Sequence, residues 1–401
     1  MSKRVTLNKG REQSIERRHP WIFSRALQGT AGLIPGDIVE VYDTYGHFLA
    51  KGFYEDESIA VRILSFDEQE QIDISFWTNR INTSYQLRVD LGLVKPNHCY
   101  RLVNGEGDFL PGLTIDVWGG VVEIQSHHCG IDLRIDDIVK AIKGIIPESN
   151  LKAIIYKPTD DFASSINDIP TSSEKVLYGS YNDVEGIEFT EGTMTFKAHL
   201  FGASGGGFSL EHWDNRRLVS QFSKDRRVLN LFSRAGGFTL SALHGGATSV
   251  VSVDSSSKTM TFLEDNLNLN FDPLFIESMH EAVVEDTFKY LQEMPSGTFD
   301  MVILDPPPFA KRKEMLRNAL KGYRKLNSEV LRKIKSGGIV MTFSCSQPLS
   351  LEQFQQNIFT SALMAGRRIR IISQLSQPSD FPISIYHPEG EFLKGLILYV
   401  E

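Results

Sequence analysis

Apolar and polar positions alternate in short runs over the first 70 residues: Asp37-Ile-Val-Glu-Val-Tyr42, Phe48-Leu-Ala-Lys-Gly-Phe-Tyr54 and Ile59-Ala-Val-Arg-Ile-Leu64. A period of two punctuated by glycine (Gly36, Gly46, Gly52) predicts hairpinned strands, and so a small β-domain over residues 1–70. The acidic stretch Asp67-Glu-Gln-Glu-Gln-Ile-Asp73 reads as a linker. It leads into a helix predicted from Ile74 to Leu93, stopped by Pro96. Between about 97 and 200 the pattern mixes strands with one helix. Leu113–Trp118 and Val121–Gln125 pair across Gly119-Gly120, Ile131–Ile146 has helical spacing, and Ala153–Tyr156 is a strand. Residues 158–184, rich in Asp, Ser and Asn, read as a loop or a decorated hairpin.

From about residue 201 the register changes. Short apolar runs (Val228–Phe232, Val250–Asp254, Met301–Asp305, Gly338–Phe343) alternate with helical patterns at Phe238–Leu243, Lys258–Leu269 and Ala319–Ile334. A βαβα alternation predicts an α/β fold with a parallel, doubly wound sheet. Ligands in such sheets bind beyond the carboxyl ends of the strands, so the residues that end each run carry the functional information.

Composition narrows the picture. The 401 residues suit two or three domains, and 41% hydrophobic with 23% charged residues is ordinary for a globular chain. Cys99, Cys129 and Cys345 are too few and too dispersed for a disulfide framework. No run approaches the ~18 apolar residues of a membrane span, and the start carries no apolar targeting core, so a cytoplasmic protein with no membrane partner is expected. A net charge of −8 argues on its face against a nucleic-acid partner. The average hides two basic stretches. One holds Lys3, Arg4, Lys9, Arg11, Arg17 and Arg18; the other runs through Lys311, Arg312, Lys313, Arg317, Lys321, Arg324, Lys325, Arg332, Lys333 and Lys335. Either could be a solvated face, but their composition suits phosphate contact.

The strand ends point to a nucleoside cofactor and a nucleobase. After Val228–Phe232 comes Ser233-Arg-Ala-Gly236-Gly237-Phe, a glycine turn into a helix that lets backbone approach a ligand. The next strand ends in Asp254, placed to accept ribose hydroxyls or to cap a helix. Asp286 follows the third strand and is either a contact to an adenine edge or a loop carboxylate. Leu304-Asp305-Pro306-Pro307-Pro-Phe309 sets a carboxylate and an aromatic around a rigid proline loop, a place to hold the amino edge and ring of an extruded base. Cys345, ending the last strand of the series, is placed to add as thiolate to an electron-poor ring carbon and make its neighbour nucleophilic. The run His127-His128-Cys129 is set aside as a metal site, since neighbours on a strand face opposite ways. Gly202–Gly207 lacks the Lys-Ser/Thr of a phosphate cradle and reads as a loop. His212 and Trp213 fit either core or an RNA-facing position.

The motifs together resemble a known family. Phe232-Ser-x-x-Gly-Gly-Phe238, Asp305-Pro-Pro-x-Phe-Ala-Lys311, Gly322-Tyr-Arg-Lys-Leu-Asn327, Thr342-Phe-Ser-Cys-Ser346 and Tyr386-His-Pro-Glu-Gly-Glu-x-Leu-Lys-Gly395 are similar to the S-adenosylmethionine-dependent large-subunit ribosomal RNA cytosine-5 methyltransferases that carry an N-terminal PUA domain. Lys9-Gly-Arg-Glu12, Arg18-His-Pro-Trp-Ile-Phe-Ser24 and Tyr100-Arg-Leu-Val-x-Gly-Glu-Gly-Asp-x-Leu-Pro-Gly112 match as well, so the resemblance spans nearly the whole chain. It implies a β-barrel-like PUA domain (1–70), a linker helix with a central α+β domain (71–200) and a Rossmann-like methyltransferase domain (201–401). It further implies S-adenosyl-L-methionine as cofactor and 23S ribosomal RNA as substrate. Carried over by position, Phe232, Ser233, Gly236, Gly237, Asp254 and Asp286 would hold the cofactor, and Asp305, Pro306, Pro307 and Phe309 the flipped base. Cys345 would be the nucleophile and Asp305 would assist at the base edge. Lys9, Arg11, Arg18, Lys311, Lys313 and Arg324 would meet RNA. An exposed PUA edge would allow a homodimer.

Three departures stand out. The family's Lys-Thr-Gly-Phe-Phe-x-Asp-Gln-Arg stretch is Gly205-Gly-Gly-Phe-Ser-Leu-Glu-His-Trp213 here, without its Lys and Arg and with Glu211 in place of Asp. Its Tyr-Thr in the glycine turn is Arg234-Ala235, and Ser172-Ser-Glu-Lys175 replaces an Arg-x-x-Glu-Gly stretch. Two other functions stay open on the sequence. One is an exocyclic-amine RNA methyltransferase, which needs Asp-Pro-Pro-Phe but no cysteine; the other is an RNA-binding ribosome-assembly factor with an impaired cofactor site.

Overall fold

The computed structural model describes residues 3–158, 175–201 and 207–401. The chain folds into two compact units, Met1–Phe189 with Ser379–Gly390, and Thr190–Pro378 with Glu391–Glu401.

The first unit holds two sheets. One has six strands in the order Trp21–Phe23, Ile59–Ser65, Phe48–Tyr54, Ile38–Tyr42, Lys3–Leu7, Leu27–Gln28. Its alternating positions Val39, Val41, Val61 and Ile63 turn inward onto Val5, Leu7 and Ile22, as the period of two requires. The second sheet orders Lys175–Gly179, Ala153–Pro158, Val121–Ser126, Leu113–Trp118, Cys99–Asn104. The expected hairpin closes Trp118 onto Val121 across Gly119 and Gly120, both at positive φ. The linker helix runs Ile74–Asp90, opened by Asp73 accepting from the backbone N–H of Ser75 and Phe76. Its Arg88 is fully buried and donates to both oxygens of Asp108 and to the carbonyl of Asp380.

Two expectations change in this unit. The helix read over Ile131–Ile146 is broken into Cys129–Asp132 and Ile135–Ile145, because the His128 side chain caps the first turn and the second restarts to bury Ile138 and Ile142. The strand before it ends at Ser126, so the alternation argument does not reach His127-His128-Cys129. His127 instead meets Thr114 Oγ1 at 3.0 Å and His128 meets Glu55 at 3.2 Å. Of the stretch 158–184, residues 159–174, including Ser172–Glu174, lie outside the described residues; Lys175–Gly179 pairs antiparallel with Ala153–Tyr156.

The second unit is built on a seven-stranded sheet: β1 (Arg227–Leu231), β2 (Ser249–Asp254), β3 (His280–Val284), β4 (Met301–Leu304), β5 (Gly338–Ser344), β6 (Ile369–Leu375) and β7 (Lys394–Val400). Their order is β3-β2-β1-β4-β5-β7-β6. β1 to β5 are parallel, and β7 enters antiparallel between β5 and β6. The central strands are buried along their length, which is why they read as continuous apolar runs rather than alternations. Among the described residues seven α-helices accompany them: α1 (Trp213–Phe222), α2 (Gly237–His244), α3 (Ser257–Asn268), α4 (Pro273–Met279), α5 (Thr287–Glu293), α6 (Leu316–Lys333) and α7 (Leu351–Ala365). α6 lays Ala319, Tyr323, Leu326 and Val330 against the core shared by β1, β2, β4, β5 and β7 and keeps its basic residues on the other face. α7 opens with a reciprocal Ser350–Gln353 capping box and stops at Gly366, which has φ +67°. The parallel order 3-2-1-4-5 leaves the carboxyl ends of β1, β2, β4 and β5 at one edge, the place expected for a ligand.

Candidate active site

The turn after β1 is strained by construction. Phe232 (φ +60°), Arg234 (φ +49°) and Gly236 (φ +83°) all take left-handed backbone within five residues. At Gly236 a Cβ would lie 2.7 Å from Leu263 Cγ, so only glycine lets α2 start there. The Arg234 N–H donates to Asp254 Oδ2 at 3.0 Å, and Asp254 Oδ1 accepts from the Ser256 N–H at 2.9 Å. Asp254 thus fastens the glycine turn to the end of β2, while Ser256 is the residue that caps α3. Asp286 caps α5 by accepting from the Lys289 N–H at 3.0 Å.

Asp305 ends β4 almost wholly buried, at 2% exposure. His212 Nε2 faces its Oδ2 at 3.2 Å, and its Oδ1 has no hydrogen-bond partner among the described residues. Burial alone would raise this carboxyl, but His212 foremost, then Arg234 and Arg216, hold it below the ordinary value, so it is an anion at neutral pH. The His212 ring is fixed between Phe238 and Phe343, with centroids 5.0 and 4.8 Å away. Asn215 Nδ2 donates to Ser376 O and lies 3.2 Å from His212 Nδ1, which makes Nδ1 the acceptor and leaves the Nε2 proton for Asp305. His212 is therefore core, and it supports the site from behind.

Pro306 is buried, Pro307 exposed and Phe309 partly buried against Tyr323, 4.7 Å between centroids. Gly322 makes room for that ring: a Cβ there would sit 3.0 Å from Phe309 Cδ2. Ser346 Oγ ties the pieces together, taking the Ala310 N–H at 3.1 Å and meeting the Tyr323 hydroxyl at 2.9 Å. Cys345 lies beside it, partly exposed. Burial, then Asp305 and Glu211, push its thiol well above the ordinary value, while Arg234 and Lys394 pull the other way. Lys394 is itself buried and donates to the carbonyls of Ser346 and Phe392 at 2.9 and 2.8 Å. Glu211, His212 and Cys345 bring donor atoms within 4.8 Å of one another.

Phe232, Ser233, Gly237 and Asp305 thus share one recess with Phe208, Ser209, His212 and Arg216. Two of its members had no signal of their own in the sequence. His212 gains its meaning only from Asp305, 93 positions later, and Arg234 only from Ser209 Oγ at 2.6 Å and Glu211 at 4.0 Å. Gly202–Gly206 lie outside the described residues. Of the basic positions, Lys9, Arg11, Arg18, Lys311 and Lys313 are exposed, whereas Arg324 is partly buried. Lys333 is spent on the carbonyls of Gln292 and Met294.

Comparison with known proteins places this arrangement. Residues 5–66 match the PUA-like domain and residues 168–385 the S-adenosylmethionine-dependent methyltransferase family. Full-length relatives include the ribosomal RNA large subunit methyltransferase I of Pseudoalteromonas atlantica, 38% identical over 100% of both chains. That of an Enterobacter species is 35% identical over 98% of both. The chain belongs to this methyltransferase family. Family membership agrees with the resemblance read from the motifs and makes the chain an S-adenosylmethionine-dependent enzyme. A methyltransferase crystallised with SAH shares its fold at 22% identity, with TM-score 0.83 over 99% of this chain and 100% of that one. A SAM-dependent methyltransferase from Streptococcus mutans does so at 21% and 0.82, over 99% and 100%. Among the described residues no helix is long and apolar enough to cross a membrane.

Proposed function

We propose that this methyltransferase acts on a cytosine of 23S ribosomal RNA, at ring carbon 5, with Cys345 as nucleophile. The observation that carries the reading is the gathering of Asp305, Cys345 and Lys394 at the carboxyl ends of β4 and β5, beside the glycine turn. The residues present fit the cofactor. Gly237 opens α2 at the recess, Asp254 stands at the end of β2, and Asp305 Oδ1 is a buried acceptor awaiting a donor. In this reading Phe232, Ser233, Gly236 and Gly237 hold S-adenosylmethionine, Asp254 its ribose, and Asp286 the neighbourhood of its adenine through the carboxylate oxygen not used in capping.

When bound, S-adenosylmethionine supplies an electrophilic methyl group. The chain supplies the rest. Pro306, Pro307 and Phe309 wall the extruded base, whose unstacking costs about a few kcal/mol. Asp305, kept anionic, accepts from the cytosine amino group. The Cys345 thiolate adds to ring carbon 6 and makes carbon 5 nucleophilic; after methylation, loss of the carbon-5 proton expels the thiolate. RNA phosphates meet Lys9, Arg11, Arg18, Lys311, Lys313 and Arg324. An enzyme with this substrate works in the cytoplasm, with large-subunit ribosomal RNA as partner. A homodimer finds no support among the relatives and is not proposed.

The test is methyl transfer from isotopically labelled S-adenosylmethionine to large-subunit RNA, with the product nucleoside identified by mass spectrometry. The expected product is 5-methylcytidine, absent with Cys345→Ala. A methylated adenine or guanine amine, or undiminished transfer by Cys345→Ala, would overturn it in favour of exocyclic-amine chemistry.

A further inference from the structure

Two of the sequence motifs and the head of a third have no part in the methyl-transfer chemistry above: Arg18-His-Pro-Trp21, the stretch Tyr100–Gly112, and Tyr386–Glu389. All three belong to the first unit, and they converge on one cavity of about 750 Å3. That volume suits a small organic ligand, for which sites span about 300–1,000 Å3. Arg18, Phe109 and Tyr386, one from each motif, stand on its wall with Phe66 and Asp67.

The lining is prepared for a planar, singly charged guest. Arg18 and Phe109 both sit in left-handed backbone at φ +58°, a strained conformation for residues this bulky and one that accumulates at ligand sites. Phe109 is 52% and Tyr386 44% exposed, an unusual state for two aromatic rings on one cavity wall. The remaining charges cancel in pairs. Glu70 takes Arg80 at 3.1 Å; Glu106 accepts from the Trp21 indole at 2.8 Å and lies 3.4 Å from Arg62. That leaves the Arg18 guanidinium, laid over the Phe66 ring at 5.2 Å, and the Asp67 carboxylate, which among the described residues takes only the Gln69 N–H, at 2.9 Å. One cation, one acceptor and open aromatic faces match the phosphate, amino edge and ring of a nucleotide.

We propose that this cavity is a second RNA subsite, holding one unpaired nucleotide of the substrate, its base stacked on Phe109 or Tyr386 and its phosphate on Arg18. The proposal rests on the reading of RNA as substrate.

The test uses the full chain and a fluorescein-labelled single-stranded RNA of mixed sequence, read by anisotropy. Phe109→Ala or Tyr386→Ala weakens binding between about 5-fold and 100-fold, the range of one lost base stack, and Tyr386→Phe binds as the wild type does. Arg18→Ala also lowers the slope of log affinity against log salt by about 0.7. The urea unfolding midpoint and far-ultraviolet circular dichroism stay at the wild-type values in each variant, which separates loss of the subsite from loss of the fold. Independently of any variant, 4-thiouridine placed in the RNA crosslinks under ultraviolet light to peptides containing Phe109 or Tyr386. Wild-type affinity in both aromatic variants, or crosslinks confined to other peptides, would overturn the subsite. Failure of the unaltered protein to bind RNA at all would instead overturn the function on which it rests.

Discussion

The thiol of Cys345 makes the mechanism testable by pH alone. Its ordinary pKa would be 9.0, and burial with Asp305 and Glu211 raises it well above that. At pH 7.5 even the ordinary value leaves about 3% thiolate, and the raised value leaves less. If the thiolate is the attacking species, kcat/KM for methyl transfer reports its formation in the free enzyme. The rate then climbs about tenfold per pH unit from about pH 7 to about pH 9, with no plateau in that interval. The neighbours set the direction of each variant. Glu211→Gln removes an anion that opposes thiolate, so the limb moves to lower pH; Lys394→Met removes a cation that favours it, so the limb moves to higher pH. The assay is single-turnover methyl transfer across that range, paired with iodoacetamide alkylation of Cys345 followed by peptide mass spectrometry. Alkylation should rise with the same slope. A pH-independent rate across that interval, or a limb that moves to higher pH with Glu211→Gln or to lower pH with Lys394→Met, would refute the reasoning.

Asp305→Asn keeps shape but loses the anion that meets the base, so kcat should fall on the order of 100-fold while RNA affinity by anisotropy changes little. Gly236→Ala sets a methyl 2.7 Å from Leu263 Cγ on backbone at φ +83°. The strain and the overlap together cost about 2–5 kcal/mol, measurable in urea unfolding, with weakened calorimetric binding of S-adenosylmethionine. His280, paired with Ser252 Oγ at 2.9 Å, is lowered by burial to about 4 from the ordinary 6.5. Its folded form binds fewer protons than the unfolded chain, so stability is intact above pH 6.5 and is lost as pH falls towards 4. The loss is on the order of 3 kcal/mol, and His280→Gln should flatten that dependence in chemical unfolding measured at each pH.

How much of this was legible in the sequence follows from how local each cause is. Buried parallel strands announce themselves as apolar runs, and the residues ending them (Gly236, Asp254, Asp305, Cys345) need no tertiary information to be singled out. α6 and the linker helix were legible for the same reason, since an amphipathic period is local. β6 and β7 were not: their antiparallel pairing depends on β7 finding the slot between β5 and β6. The membership of Ser379–Gly390 in the first unit is likewise long-range, secured by hydrogen bonds such as Arg88 to Asp380 across 292 positions. His212 belongs to the same class. Nothing beside it in the chain distinguishes a core histidine from one aimed at a catalytic carboxylate.

The departures from the family pattern gain a physical reading once the recess is assembled. The stretch Gly205–Trp213 carries no Lys or Arg, while the glycine turn carries Arg234. The fold brings the two together: the Arg234 guanidinium donates to Ser209 Oγ at 2.6 Å, lies 4.0 Å from Glu211 and holds Asp305 and Cys345 in its field. His212, from the same stretch as Glu211, sets its Nε2 3.2 Å from Asp305 Oδ2. His212 and Arg234, both at positions that depart from the family pattern, hold the buried Asp305 carboxyl down against its burial. Here the changed positions answer one another, and that argues for a rearranged catalytic site over a decayed one.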